Sequence, residues 1–263
     1  MTWLSCFTVG FALLLPMLAF ADSPAVRYEP YQLPADVRMR TDAYSFPVVP
    51  MTPAWDAIES KDRNAAIQVP QQVLHGMTTE GVVWTACRAQ PRRHNWVFES
   101  LSRGNLGVRS LARQHASFTE LFKRDDAGPF VLDLYRQMDP GTPDSTWSDC
   151  ASAMYSKDLS LLELLLNQDE IRSGLTHAER VELLGLAWTR YNTRVRDKLT
   201  GVACSVLIGR LLLDLDFEPM RPHRDAISRY VDLAIFNGAQ PGFDYETLSI
   251  ILDNARLWSD REE

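Results

Sequence analysis

The sequence predicts an all-α protein. Apolar residues recur at helical spacing from about residue 53 to the end of the chain. Helix-start signals precede several of these runs, Thr52-Pro53 and the Thr176/Glu179 pair being the plainest. No segment shows the strict alternation of a half-buried strand. The architecture expected is one of stacked helical hairpins, solenoid-like or an irregular helical bundle, with an extended Pro-rich N-terminal arm. No exact repeat is visible, which favours a solenoid-like array over a regular repeat family.

Residues 1–21, MTWLSCFTVGFALLLPMLAFA, carry no charge and are almost wholly apolar. They end in Ala19-Phe20-Ala21 before Asp22-Ser23-Pro24, the small-residue pattern of a signal-peptide cleavage site. A Lys or Arg ahead of the apolar run is missing from that pattern. An uncleaved anchor is the competing reading, because the run is close to the roughly 20 residues that span a bilayer. Pro16 argues against an undisturbed spanning helix. The expectation is cleavage after Ala21 and a periplasmic or secreted protein. Cys6 precedes most of the apolar run, so it does not read as a lipid-attached cysteine.

Residues 22–53 hold Pro24, Pro30, Pro34, Pro47, Pro50 and Pro53. Proline fixes φ and removes a donor, so this arm is expected to be extended. Tyr28, Tyr31, Tyr44 and Phe46 punctuate it, which predicts that it drapes over the helical body. Residues 54–263 form one all-helical domain, with a subdivision near 139–148 where DPGTPDSTWSD reads as a loop.

Within that domain, AWDAIESKDRNAAIQV predicts one or two short helices ending before Pro70, and PQQVLHGM another short turn. In MTTEGVVWTAC, Thr78 is a candidate cap and Glu80 lies in the first turn. Val83, Trp84 and Cys87 then share a face, and Gly81 permits close approach of a neighbouring helix. Residues 95–123 continue as helix with breaks at Gly104 and Gly107. FTELFKR puts Phe118, Leu121 and Phe122 on one face. Pro129 starts a helix bearing Phe130, Val131, Leu134, Tyr135 and Met138. DLSLLELLLNQDEI is a strongly apolar helix. Thr176 and Glu179 open the next, whose stripe is Val181, Leu184, Trp188, Tyr191 and Val195. Cys204, Ile208, Leu211 and Leu212 point inward from GVACSVLIGRLLLDL. Helices over RDAISRYVDLAIFNG and YETLSIILDNARLW close the chain.

The net charge of −7 and the scarcity of Lys/Arg clusters argue against nucleic acid as a partner. After signal cleavage no second apolar run reaches spanning length. Cys87, Cys150 and Cys204 remain, an odd number that allows one internal disulfide and leaves its pairing open. No Cys-x-x-Cys is present, and His75, His94, His115, His177 and His223 make no His-x-His or His-Glu-x-x-His. No metal and no cofactor is expected. DLDFEPMRPHRD has acids at its first, third and fifth positions, but Pro219 replaces the glycine a calcium loop needs and Asp225 the bidentate Glu. It reads instead as an acidic helix end and a proline turn.

Cys87 admits two readings. Beside Trp84 it is a buried small hydrophobe. As a reactive thiol it would need a cationic neighbour, and Arg88 points to another face. Structure is the better reading. RAQPRRHNW is the densest positive run in the acidic chain: Arg88, Arg92, Arg93 and His94 beside Trp96. A solvated loop competes with an anionic or acidic partner's docking site. These five residues are the candidate partner-binding set.

The stretches KDRNAAIQVPQQVLHGMTTEG, FTELFKRDDAGPFVLDLY, LELLLNQDEI and LTHAERVELL together resemble an uncharacterised family of exported all-helical bacterial proteins. The similarity covers most of residues 55–215. Where that group continues into a Tyr-Pro-containing stretch after the Cys helix, this chain reads RAQPRRHNW. The resemblance implies export and an all-α fold and carries over no catalytic residue. The function expected is a protein-binding or scaffold module with a protein partner in the cell envelope. The alternative is a hydrolase-like enzyme with a dispersed site, centred on Cys87 or a carboxylate pair.

Overall fold

The computed structural model describes residues 42–48, 52–88, 104–138, 147, 149–193, 198–233 and 244–262. Helices account for most of them, and no strand occurs among them. The all-α class is met.

Thr52 opens the first helix, α1 (Pro53–Asp56): its hydroxyl accepts from the Trp55 amide at 3.3 Å, and Pro53 takes the first helical position. The short helices α2 (Arg63–Ala66) and α3 (Gln71–Gly76) follow, on either side of the break at Pro70. The next helix, α4 (Thr79–Arg88), is buried at every position from Gly81 to Cys87. Next come α5 (Asn105–Gln114), α6 (Ala116–Leu121), α7 (Ala127–Gln137) and α8 (Asp149–Leu166). The second half holds α9 (Asp169–Arg172), α10 (His177–Thr193), α11 (Lys198–Asp214), a 3-10 turn (Glu218–His223), α12 (Arg224–Leu233) and α13 (Tyr245–Glu262).

Two helices organise the bundle. In α8, every residue from Asp158 to Leu166 is buried, and in α11 every residue from Ala203 to Ile208. A helix that is apolar around most of its girth belongs in the middle, because no face of it prefers water. Accordingly α8 packs against α4, α5, α7 and α11, and α11 packs against α8, α10, α12 and α13. The residues of one continuous core run from Val69 to Ala255. Each buried leucine contributes about 1.5–3 kcal/mol.

Polar links fix the helix ends. Asn105 at the start of α5 donates to the Val231 carbonyl of α12 at 2.6 Å. Its side-chain oxygen accepts from Asn167 at 2.8 Å and Gln168 at 2.9 Å, where α8 ends. The Thr176/Glu179 capping box forms as the spacing predicts: the Glu179 amide donates to the Thr176 hydroxyl at 3.2 Å, and the Thr176 amide to the Glu179 carboxylate at 2.8 Å. At the end of α11 the Phe217 amide reaches back to the Leu212 carbonyl at 3.0 Å, with Asp216 at φ 49°. That closure turns the acidic helix end into the proline turn, and Arg221 and Arg224 pair with the Asp216 carboxylate.

Three local expectations are corrected. Gly107 lies buried within α5 and breaks nothing; Gly104, at φ 55°, stands just ahead of the first residue of α5. The break between α5 and α6 falls instead at His115, which is extended (φ −124°, ψ 122°). Gln68 holds that junction open, accepting from the Ala116 amide at 3.0 Å and donating to the Gln114 carbonyl at 3.0 Å. On α10 the buried face is Leu183, Leu184, Ala187 and Arg190, with Val181, Trp188 and Tyr191 half-buried at its edge. Val195 lies outside the described residues, as do the signal-like segment, the arm up to residue 41, and most of the 139–148 loop.

Candidate functional site

Helix α4 carries both features that the sequence singles out, Cys87 and the start of the basic run. Cys87 is 1% exposed in a core that includes Val83 and Trp84. Burial in apolar surroundings disfavours a thiolate, which is the nucleophilic form. The face of MTTEGVVWTAC that bears Val83, Trp84 and Cys87 is therefore core, as its spacing predicts. Cys204 is also buried, and its Sγ–H donates to the Ala187 carbonyl at 3.1 Å, tying α11 to α10.

Arg88 is the last residue of α4. Its side chain, and Arg92, Arg93, His94 and Trp96 altogether, lie outside the described residues. The described structure fixes where this run begins: at the end of a helix buried through Cys87 and packed against α6, α7 and α8.

The start of α4 is built in a way that sequence reasoning missed. Thr78 caps the helix, its hydroxyl accepting from the Gly81 amide at 3.0 Å. In a complete capping box the third helical residue is Glu or Gln, whose side chain accepts from the cap residue's own amide. Here the third residue is Gly81. The missing carboxylate comes from Asp42, whose Oδ2 accepts from the Thr78 amide at 2.7 Å. A Cβ at position 81 would lie 2.3 Å from Asp42 Oδ1. Gly81 thus makes room for the carboxylate of an extended segment, where the sequence led us to expect a helix. Burial works against the charge on Asp42, but hydrogen bonds from the Thr78 side chain and amide outweigh it and hold the carboxyl below its ordinary 3.8.

Residues beyond Asp42 continue along α4. The Tyr44 amide donates to Thr85 Oγ1 at 2.9 Å, and Thr85 is itself 2% exposed. Tyr44 and Phe46 meet edge to face at 4.9 Å, and both pack against the core while remaining half-buried.

A buried carboxylate also escaped the sequence reading. Glu163, 0% exposed in the last turn of α8, accepts from the Tyr135 hydroxyl at 3.2 Å. The Arg190 guanidinium lies over the Tyr135 ring at 3.8 Å and donates to the Tyr135 carbonyl at 2.5 Å. The three side chains join α7, α8 and α10. The signal was present: LLELLL places one carboxylate within a run whose every other side chain is leucine. A buried carboxylate needs partners, and only another helix can supply them.

His115 is also buried, near Gln68 at 3.5 Å and edge-on to Phe118. Burial holds its imidazole down to about 4, from an ordinary 6.5. The unfolded chain therefore takes up a proton on His115 that the folded chain refuses. The resulting stability is present in full above pH 6.5 and is lost as pH falls towards 4, by at most about 3 kcal/mol. Urea melts between pH 7 and pH 4.5 are expected to show this loss, and His115→Gln to flatten it.

Among the described residues no group of His, Cys, Asp and Glu has the makings of a metal site, and no helix is long and apolar enough to cross a membrane. No protein-family model, curated protein or solved structure matches the chain.

Proposed function

We propose that this chain is an exported helical module of the bacterial cell envelope that binds another protein, cut from its signal segment after Ala21. The observation that carries the reading is the join at Arg88. The most basic run of an acidic chain leaves directly from the end of α4, a helix locked into the core. A charged segment rooted in a packed helix end loses less freedom on binding than one at the end of a long linker. Arg92 and Arg93 supply forked donors for carboxylates, and Trp96 an aromatic anchor of the kind enriched at interfaces.

The test is recovery of a tagged chain from native envelope extract after mild cross-linking, with partners read by mass spectrometry. One stoichiometric protein is expected, and Arg92→Ala with Arg93→Ala is expected to lower its recovery at least tenfold. Unchanged recovery would remove the basic run from the interface. Absence of any partner above background would overturn the binding-module reading. The same spectra read whether the mature chain starts at Asp22.

A further inference from the structure

The capping box of α4 differs from that of α10 in one respect: its carboxylate is not covalently part of the helix. In α10, Glu179 is supplied three residues after the cap and cannot leave. In α4, the same role falls to Asp42, 36 residues before Thr78 in the chain. Glycine within a helix is about 1 kcal/mol less favourable than alanine. At position 81 that cost creates the space in which Asp42 sits. Three further features align with the carboxylate. Thr85, buried two turns from the cap, accepts a backbone N–H from the segment, and Tyr44 and Phe46 cover the apolar surface beside it. On α4 these are a carboxylate receptor and a main-chain acceptor two turns apart, beside an apolar surface that takes the two aromatic side chains of an extended segment.

The segment lies on the surface of the fold. Asp42, Tyr44 and Phe46 are half-exposed and Thr78 is exposed, whereas α4 beneath is buried. Elements with few buried contacts open at the lowest free energies in a protein.

We propose that this face of α4 is a peptide-binding groove, held in cis by Asp42–Phe46 acting as a strap. It accepts in exchange a partner's extended segment with a carboxylate followed by aromatic residues two and four positions later. The inference rests on Thr78, Gly81 and Thr85 and draws nothing from the basic run.

The test uses the full chain and a fluorescein-labelled peptide of sequence RTDAYSFPV, corresponding to residues 40–48. Wild type, its groove occupied, is expected to bind the peptide weakly. Asp42→Ala/Tyr44→Ala/Phe46→Ala is expected to bind it at least tenfold more tightly by fluorescence anisotropy. Replacing the peptide's Asp by Ala, or adding Gly81→Ala to the protein, is expected to abolish that gain. If the triple variant does not melt cooperatively, Asp42→Ala alone serves as the released form. A folded released form that binds the peptide no better than wild type overturns the proposal, and so does a gain that survives Gly81→Ala. A wild-type mass of two chains that falls to one in Asp42→Ala would assign the groove to a second copy's arm and overturn the cis strap.

Discussion

Gly128→Ala and Gly174→Ala are each expected to lower the free energy of unfolding by about 3 kcal/mol. The start of α7 and the turn after α9 touch backbone to backbone at these residues. A Cβ on Gly128 would lie 2.4 Å from the Ile171 carbonyl oxygen, and one on Gly174 would lie 2.6 Å from the Asp125 carbonyl oxygen. Neither obstacle is the tip of a flexible side chain, so relief requires moving a helix end. The Cβ at 174 would also stand 3.6 Å from the Gly128 amide. The two substitutions therefore force the same separation, and the double variant should cost less than the sum of the singles. Gly76→Ala is the control, since nothing lies within 4 Å of its Cβ position. Urea melts followed by far-UV circular dichroism measure all four. Gly128→Ala as stable as wild type would show that the α7–α9 approach is looser than a 2.4 Å Cβ–oxygen distance implies.

Whether a feature was legible in the sequence depended on how far apart in the chain its causes lie. The caps at Thr52, Thr78 and Thr176 are each made within one turn, and spacing alone finds them. The all-round burial of α8 and α11 is equally local, because runs such as LSLLELLL and SVLIGRLLL offer no polar face. The break at His115 was illegible, because its cause is Gln68, which reaches across 47 residues. Asp42 was hidden for the same reason. Gly81 announced that something comes close, but only the fold shows that the visitor is a carboxylate. On α10, the stripe through Trp188 and Tyr191 was misplaced towards the aromatics. The helix buries Arg190 instead, because Tyr135 offers its ring and carbonyl across the interface. A charged residue on a core face defeats a periodicity count unless its partner is known. Of the site read from the sequence, Cys87 and the helix end at Arg88 are placed, and the rest of the basic run falls outside the described residues.

Arg172→Ala is expected to cost about 3–5 kcal/mol, the range for breaking a buried ion pair from one side. The Arg172 side chain is 6% exposed. Its guanidinium donates to the Asn167 carbonyl at 2.6 Å, closing the end of α8, and to Asp169 Oδ1 at 2.5 Å. It also pairs with Asp214, the last residue of α11. An acidic residue at a helix C-terminus faces the negative end of the dipole, so Asp214 relies on this cation more than an exposed carboxylate would. The two central helices thus share one charged clamp. Removing the arginine strands Asp214, which is 23% exposed, and leaves a buried carbonyl without its donor. Removing both charges in Arg172→Met/Asp214→Leu should recover much of the loss, because the stranded charge is then absent. Asp169, 73% exposed, contributes little by comparison. Its titration reports on the clamp all the same. Burial raises the Asp169 carboxyl, but the Arg172 hydrogen bond and charge outweigh that and hold it below 3.8. The stability this supplies is present above pH 3.8 and lost as pH falls below it. In Arg172→Ala the Asp169 carboxyl should titrate higher, which carbon-detected NMR would read directly. An unchanged Asp169 titration would show that the arginine does not hold this carboxylate in solution. A double variant no more stable than Arg172→Ala would show that the clamp acts through the Asn167 carbonyl, with the charge on Asp214 of no consequence.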